Sequence, residues 1–455
     1  MEREKLGSRL GFILVSAGCA IGIGNVWKFP YICGQYGGGM FVLIYLFFLA
    51  VLGVPVMTME FSTGRAAKRS PILLYQRLEP EGTKWHLHGI LCFLGNFLLM
   101  MYYTVVAGWM VQYFFMEAKG TFVGLDAKGV EAVHNASLAN PWLQVGAMAA
   151  VVIAGFVINA QGLENGLERV SKVMMILLLI IMVVLAVNSI FLKGSGTGLE
   201  FYLKPDVERM KEAGIINVIV AAMNQAFFTL SIGQGSMAIF GSYIDKNRSL
   251  MGESVTVAVL DTFVAITAGL IIFPACFAYG VHPDAGPSLI FITLPNIFNH
   301  MPMGRLWGSL FFVFMTFASF STVLAIFENI MACMMDIVPS WSRKKSAIIG
   351  CIAILVASVP CALGFNVLSG FHPLGAGTVV LDLEDFIVSN FLLPFGSIIF
   401  ILFCTRNIGW GWDNFFEEAN EGKGIKVQRW MRGYMTYILP LLVAFILVAG
   451  IVNMF

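Results

Sequence analysis

Long apolar stretches recur along the whole chain, separated by shorter polar segments. Each stretch has about 20 residues or more, which is enough for a helix to cross about 30 Å of hydrocarbon. We predict membrane-spanning helices at residues 10–33, 40–63, 87–116, 141–159, 170–192, 215–243, 254–280, 304–336, 346–365, 378–404 and 434–454. Structured loops outside the membrane are expected at 117–140, 193–214 and 281–303. The pattern therefore indicates an all-α polytopic membrane protein with eleven transmembrane helices.

Two of these stretches are interrupted by glycine and polar residues. The first contains Gly18, Gly22, Gly24, Asn25 and Pro30, and the sixth contains the sequence FFTLSIGQGS. Backbone groups freed inside a membrane must be buried in protein or line a cavity. Broken helices form the binding sites of secondary transporters, although glycines in membrane helices also serve simply to let helices pack closely.

The two interruptions lie five spans apart. They divide the chain into a first five-helix repeat at 10–192, a second at 215–404, and an eleventh helix at 434–454, all within a single transmembrane domain covering 1–455. Because five is odd, the second unit begins on the opposite side of the membrane. This arrangement is typical of a 5+5 inverted repeat, with its binding sites where the two breaks meet.

Composition and charge narrow the possible classes of function. Of 455 residues, 58% are hydrophobic and 12% are charged, and the net charge of +1 gives no reason to expect a nucleic-acid partner. If the N-terminus is cytoplasmic, 20 of the 28 Lys and Arg residues lie inside the cell. The positive-inside rule therefore predicts a multi-pass protein of the cell (inner) membrane, with the C-terminus outside. No nucleotide-binding loop or nucleophile–base pair suggests an enzyme.

Several motifs give the chain a specific resemblance. GSRLGFILVSAGCAIGIGNVWKFPY begins at Gly7, YGGG ends at Gly39, and QAFFTLSIGQGS and TFASFSTVLA follow in that order. Together they resemble bacterial members of the neurotransmitter:sodium symporter family. The resemblance implies a leucine-transporter-type fold with helices 1 and 6 unwound at mid-membrane. It also implies symport of Na⁺ with an amino acid by alternating access, in which spans 1, 2, 6 and 7 rock against the rest.

The resemblance further implies two sodium sites built from oxygen atoms. The first would use Ala20, Asn25, Thr229, Asp261 and the carboxylate of the substrate, and the second Gly18, Ile21, Ala318, Ser321 and Thr322. Carbonyl, hydroxyl and carboxylate oxygens are hard donors of the kind that a hard cation prefers. Serine and threonine in membrane helices also bond back to their own helix, which is the alternative for the second set.

Asp261 is a lone carboxylate in the apolar sequence VAVLDTFVAI. An ionised side chain there is costly unless it is paired, and the alternatives are a position at a helix end or a protonated, hydrogen-bonded acid. Chloride-requiring relatives have Asn at this position and Ser one turn later, where this chain has Asp261 and Ala265. We therefore expect the carboxylate to replace chloride, and transport to be chloride-independent.

The substrate class is indicated by Gly22, which stands where monoamine carriers of the family have an aspartate. A substrate with its own carboxylate would fit there. The resemblance assigns the binding pocket to Ala20, Gly22, Ile23, Gly24, Leu99, Tyr103, Phe228, Thr229, Ser231, Gln234, Thr322 and Ile326. This mainly apolar lining favours a hydrophobic or aromatic amino acid, and Gln234 leaves open a polar tip on its side chain.

Alternating access requires two gates. The resemblance implies an outer pair of Lys28 and Asp385 with Tyr103 and Phe228 as a lid. It implies an inner pair of Arg3 and Asp336 near Tyr243. Exposed pairs of this kind are otherwise ordinary solvated charges.

The roles of two further acidic residues are undecided, and two other classes of function are also compatible with the sequence. Glu60 is expected either to accept hydrogen bonds from the broken sixth helix or to anchor a helix end, and Glu328 either to line the inner exit or to relay a proton. A proton-driven carrier on the same scaffold would need no sodium. A channel, or a sensor that only binds, would not accumulate its ligand.

Overall fold

The structure is a computed structural model that describes residues 4–281 and 289–452. This part of the chain is helical, and its helices, numbered in chain order, are α1 (Arg9–Ala20), α2 (Gly24–Gln35), α3 (Gly39–Ala67), α4 (Pro71–Leu78), α5 (His86–Lys119), α6 (Ala127–Leu138), α7 (Pro141–Asn159), α8 (Leu163–Ile190), α9 (Gly196–Leu203), α10 (Val207–Glu212), α11 (Ile215–Thr229), α12 (Ser236–Gly241), α13 (Leu250–Ala278), α14 (Leu294–His300), α15 (Gly304–Ile337), α16 (Arg343–Leu363), α17 (Val380–Thr405), α18 (Trp412–Asn420) and α19 (Met431–Val452). The all-α membrane fold predicted from the sequence is confirmed.

The predicted spans correspond in order to helices of three kinds. Within the described residues, nine helices are unbroken, apolar and long enough to cross a membrane. Helices α1 and α2 form one further span that bends by 55° at its break. The sixth predicted span is split into α11, of 15 residues, and the short α12. Within the described residues, the first and sixth predicted spans are thus the interrupted ones, and the other nine are unbroken helices.

Several predicted boundaries need correction. Helix α8 begins at Leu163, seven residues before the predicted start, in a wide π-helical turn over Leu163–Glu168. Residues 160–169 lay between the predicted spans 141–159 and 170–192. Glu168 is nevertheless buried, because its carboxylate accepts hydrogen bonds from Gly7 N at 2.7 Å and Ser8 Oγ at 2.9 Å. The segments expected to be structured loops carry α6, α9, α10 and α14.

The two longest helices, α5 and α15, pack along each other through the centre of the molecule. Helix α1 lies against α8, α13 and α15. Close contact between α1 and α15 depends on Gly18, where a Cβ atom would lie 3.2 Å from Ser321 Cβ. This packing places the break after α1 beside the middle of α15.

Candidate functional site

The first break begins where α1 ends at Ala20. Ile21 is extended, with φ −72° and ψ 97°, and α2 starts at Gly24 in a new direction. A Cβ atom on Gly22 would lie 2.4 Å from the Tyr103 hydroxyl, and one on Gly24 would lie 2.9 Å from the Phe228 ring. Only glycine leaves room for these rings to approach the open backbone.

The second break lies between α11 and α12. Ser231, Gly233 and Gly235 have φ angles of +51°, +101° and +74°, so the chain turns through the left-handed region there. Glu60 holds this turn, because its carboxylate accepts hydrogen bonds from Gly233 N and, at 3.1 Å, from Met237 N. Of the two roles considered for Glu60, the structure shows the contact with the broken sixth span.

Between the two breaks, polar side chains gather around the fully buried Asp261. Asn25 Nδ2 donates to Asp261 Oδ1 at 2.8 Å, and Thr229 Oγ1 donates to Oδ2 at 3.0 Å. Asn25 Oδ1 accepts from Gly22 N at 3.3 Å. The structure thus joins three residues predicted for the first sodium site, from α2, α11 and α13, next to the open backbone of the first break.

A second oxygen cluster lies between the end of α1 and α15. Ser321 Oγ donates to the carbonyls of Ala318 at 2.9 Å and Ile21 at 3.4 Å. Thr322 Oγ1 lies 3.2 Å from the Gly18 carbonyl oxygen and 3.4 Å from that of Ile21. All five residues predicted for the second sodium site therefore contribute oxygen atoms to one place, and their chemistry suits a hard monovalent cation.

The Cys19 carbonyl also belongs to this second cluster. It lies 3.5 Å from Thr322 Oγ1 and accepts a hydrogen bond from Ser231 Oγ at 3.2 Å. The prediction missed it because every residue has a carbonyl group, so the sequence gives no signal of which ones are exposed by a break.

A small central cavity of about 20 Å³ adjoins both clusters. Nine of the predicted pocket residues line it, namely Ala20, Gly22, Gly24, Leu99, Tyr103, Phe228, Ser231, Gln234 and Thr322, and so does the unpredicted Leu393. This volume is about that of one water molecule, so side chains must move to admit an amino acid.

The other three residues predicted for the pocket lie elsewhere. Ile23 lines a neighbouring cavity on the Lys28 side, Thr229 bonds to Asp261, and Ile326 is fully buried in the core. Ile326 lies one turn beyond Thr322 on the same face of α15, about 6 Å further along the helix axis, where packed core side chains surround it instead of the cavity.

The neighbouring cavity, which we call the vestibule, has a volume of about 220 Å³ and is lined by Lys28, Asp385, Tyr103 and Phe228, among others. Lys28 Nζ lies 4.0 Å from Asp385 Oδ2 and 3.9 Å from the centroid of the Phe228 ring. Tyr103 and Phe228 line both cavities, so their rings separate the vestibule from the central cavity. The structure thus brings together the four residues predicted for the outer gate.

Asp385 has two further partners that the sequence reasoning missed. Tyr102 Oη donates to Asp385 Oδ1 at 3.0 Å, and Ser389 Oγ donates to the same oxygen at 2.6 Å. Ser389 follows Asp385 by one helical turn, which is a spacing that could have been noticed.

The predicted inner pair involves the C-terminal end of α15. Its Arg3 lies outside the described residues, so only the contacts of Asp336 and Tyr243 are described. Asp336 accepts a hydrogen bond from Ser70 N at 2.8 Å and pairs with Arg69 at 3.4 Å. Tyr243 Oη donates at 2.7 Å to Glu328, which also pairs with Arg343.

The chain before α1 is tied to this end of the molecule by charged groups. Glu4 pairs with Arg343 at 2.9 Å, Arg9 Nε with Glu253 at 2.9 Å, and Lys5 with Asp245 at 2.9 Å. Glu328 is fully buried and Arg343 has only 12% of its side chain exposed, so this part of the network is largely shielded from water. These contacts connect the N-terminal chain to α13, to α16 and to the loop after α12. Through Arg343 they also reach Glu328 on α15.

Comparison with known proteins agrees with this arrangement. The family model of the sodium:neurotransmitter symporter family matches residues 3–123 and 129–455. The uncharacterized sodium-dependent transporter YhdH of Bacillus subtilis is 33% identical over 401 residues, covering 88% of this chain and 87% of its own length. A sodium-dependent transporter of Methanocaldococcus jannaschii is 30% identical, covering 97% and 89%. The crystal structure of MhsT in complex with L-phenylalanine is 35% identical, covers 98% of this chain and 100% of its own, and superposes with a TM-score of 0.87.

Proposed function

Since the chain belongs to the sodium:neurotransmitter symporter family and is a sodium-coupled symporter, not an enzyme, we propose that it carries a hydrophobic or aromatic amino acid into the cell. The observation that carries this proposal is the meeting of two broken helices at one small cavity. Ser231 and Thr322 line that cavity together with aromatic and aliphatic side chains, and the Asp261 carboxylate is joined to the first break through Asn25.

We assign two Na⁺ ions to the two oxygen clusters. Asn25, Thr229 and Asp261, with the Ala20 carbonyl and the carboxylate of the substrate, would hold the first ion. The second would lie between the carbonyls of the first break and the hydroxyls of α15. Both ions would bind the end of α1, so their binding favours the conformation in which the backbone oxygens converge.

The first ion would explain coupling between sodium and substrate. A carboxylate group of the substrate beside Gly22 would complete the coordination of that ion, so each would bind better in the presence of the other. The apolar part of the substrate would occupy space that the Tyr103 and Phe228 rings now fill, so these rings would have to move. The similarity to a transporter crystallised with L-phenylalanine supports an apolar side chain.

Asp261 supports independence from chloride. Two cations near a single zwitterionic substrate need a compensating negative charge in a buried site. The Asp261 carboxylate, held by Asn25 and Thr229, would supply that charge permanently.

The proposed topology assigns the two ends of the transport route to the two sides of the membrane. We place the N-terminus in the cytoplasm, the C-terminus outside the inner membrane, and the two five-helix repeats at 10–192 and 215–404 in opposite orientations. The Lys28 side then faces outward and the Glu328 side inward.

Two sodium ions provide ample driving force. At a potential of about 100 mV and a tenfold sodium gradient, their entry releases about 7 kcal/mol, enough for an accumulation of about 10⁵-fold at perfect coupling. One ion would support only about 400-fold under the same conditions.

The direct experiment measures uptake of labelled amino acids by proteoliposomes. Sodium is replaced by choline in one arm, chloride by gluconate in a second, and a pH gradient is imposed without sodium in a third. We expect accumulation above the external concentration only with sodium, and equal uptake in chloride and gluconate. Accumulation driven by the pH gradient alone would indicate a proton-driven carrier, and equilibration without accumulation would indicate a channel.

The chloride assignment has its own matched variants. In Asp261→Asn the permanent charge is lost, so uptake should fall by more than about tenfold in either anion. Adding Ala265→Ser to that variant should restore part of the uptake in chloride but not in gluconate. Unchanged uptake by Asp261→Asn in gluconate would refute the assignment.

A further inference from the structure

A further cavity lies at the N-terminal end of α1, away from the central cavity and the vestibule. We call it the N-terminal cavity. One wall is the chain from residue 6 to residue 12, and the other runs from residue 243 to residue 253. Its volume is about 260 Å³, against about 20 Å³ for the central cavity, so it can hold a small organic ligand.

One acidic residue in this cavity has an unused oxygen. Glu253 is 3% exposed, and its Oε1 accepts a hydrogen bond from Arg9 Nε at 2.9 Å. Its Oε2 has no hydrogen-bond partner among residues 4–281 and 289–452. A buried carboxylate oxygen without a donor is costly, so the site favours a ligand that brings an N–H group.

One basic residue in the same cavity has no acidic partner in the part of the chain that the structure describes. Arg248 also lines the cavity, and its carbonyl accepts a hydrogen bond from Arg65, but within the described parts of the chain no carboxylate pairs with its guanidinium group. Asp245, its neighbour in the same wall, is already paired with Lys5 at 2.9 Å. Counting contacts among residues 4–281 and 289–452 only, the N-terminal cavity therefore offers one unsatisfied acceptor and one unpaired cation.

We propose that the N-terminal cavity binds a free α-amino acid as a second site that needs no sodium. The ammonium group would donate to Glu253 and the carboxylate would pair with Arg248, while the side chain lies against Leu6 and Phe12. Charged side chains provide both recognition contacts, so no metal ion has to complete the site.

The effect of a bound amino acid on transport follows from the two chain segments that form the walls of the cavity. Leu6 N already donates to the Tyr243 carbonyl at 3.5 Å, and Arg9 already pairs with Glu253 across the cavity. A bound amino acid would add a further bridge between the chain leading into α1 and the loop after α12. Because this end of the molecule faces the cytoplasm in the proposed function, on which this inference rests, accumulated product would hold the inner side closed and slow further release.

The test is a binding measurement on the purified full chain in detergent. L-phenylalanine and glycine are titrated by equilibrium dialysis in sodium-free choline buffer, and the titrations are repeated with sodium. Without sodium we expect one weak site that accepts both amino acids, and with sodium an additional, tighter site for the transported amino acid.

Variants separate the two sites. Glu253→Gln should weaken sodium-free binding by about tenfold or more, because a charged hydrogen bond is lost in a buried place. Arg248→Gln, at an exposed position where folding is not at risk, should weaken it by about threefold. Glu421→Gln changes a carboxylate that pairs with Lys246 outside the cavity, and it should leave both sites unchanged.

Three results would overturn the proposal: no sodium-free binding of either amino acid, binding unaffected by Glu253→Gln and Arg248→Gln, or equally tight binding of methylammonium, which would make this a site for simple cations. In each case the sodium-dependent site would still be detected in the same titrations. Loss of that site instead would count against the proposed function.

Discussion

The two ends of the proposed transport route are closed by different means. At the Lys28 end, one ion pair of 4.0 Å joins two side chains that are each about one third exposed, at 35% and 36%, above the Tyr103 and Phe228 rings. At the Glu328 end, a fully buried carboxylate contacts both Arg343 and Tyr243. Exposed pairs are worth about 0–1 kcal/mol, whereas removing one partner of a buried pair costs about 3–5 kcal/mol.

This difference indicates which step of the transport cycle needs the energy of ligand binding. Opening the Lys28 end requires little more than the separation of exposed groups and the rotation of two rings. Opening the Glu328 end requires buried charges to separate or to move together. We therefore expect the resting protein to favour closure at the Glu328 end, and variants there to have the larger effects.

Glu328→Gln should have the largest effect. The amide keeps an acceptor for Tyr243 but leaves the charge of Arg343 without its buried partner. We expect uptake to fall by more than about tenfold, and mass spectrometry should show Cys19, now fully buried at the first break, reacting at least about tenfold faster with a small thiol reagent.

The matched control for this experiment is Glu208→Gln, an exposed carboxylate that pairs with Lys211 and lines neither the central cavity nor the vestibule. It should change neither uptake nor the reactivity of Cys19. Equal effects of the two variants would mean that the buried network does not control closure.

Asp336→Asn should have an intermediate effect. The amide can still accept from Ser70 N but no longer pairs with Arg69, which is 36% exposed. We expect a loss of uptake of about three- to tenfold, with a smaller rise in Cys19 reactivity than in Glu328→Gln. Arg69→Gln should show the same direction, and a larger effect than Glu328→Gln would reverse the proposed order.

Substitutions of Lys28 should have small effects. Lys28→Gln should change uptake by less than about threefold, and less still at high salt, because an exposed pair is screened. Lys28→Arg should slow release of bound substrate toward the vestibule, since a guanidinium group can bind Asp385 with two parallel hydrogen bonds. Dissociation rates of a labelled amino acid at two salt concentrations measure both effects. A tenfold loss in Lys28→Gln would contradict the account of the weak outer closure.

The smallest effect is expected for the exposed pair of Lys5 and Asp245, whose contribution to stability should not change with pH near neutrality. The Lys5 ammonium group, which donates a hydrogen bond to Asp245, holds the pKa of that carboxyl below its usual 3.8. A lowered pKa means that the contact stabilises the folded chain above pH 3.8 and is lost as the pH falls through the lowered value. The difference in melting temperature between the wild type and Asp245→Asn should therefore stay constant from about pH 8 to about pH 5. A difference that changes within that range would point to another group.

Much of the fold could be predicted because apolar length and glycine position are local signals. The run of apolar residues marks each span, and Gly22, Gly24, Gly233 and Gly235 mark the breaks. The early start of α8 was missed because Glu168 looks like a loop residue until its long-range bonds to Gly7 and Ser8 are known.

Long-range pairing also explains what was missed at the site. Arg343 and Glu328 lie on different helices, and nothing in their local sequences links them. Leu393 lines the central cavity from α17, a helix to which no pocket residue had been assigned. The resemblance to a family predicted the positions of the Ser321 and Thr322 hydroxyls in α15. The partners of Glu328 and Asp336 on the same helix depend on how this particular chain packs.

The central claim is that sodium and amino acid bind together where the two broken helices meet. Its most direct test is the affinity of the purified protein for the amino acid that most raises its melting temperature among the twenty, measured while sodium is exchanged for choline at constant ionic strength. The account predicts that this high-affinity binding weakens by about 100-fold without sodium, and that Thr322→Val reduces the dependence on sodium. An affinity that is the same in sodium and in choline would contradict it.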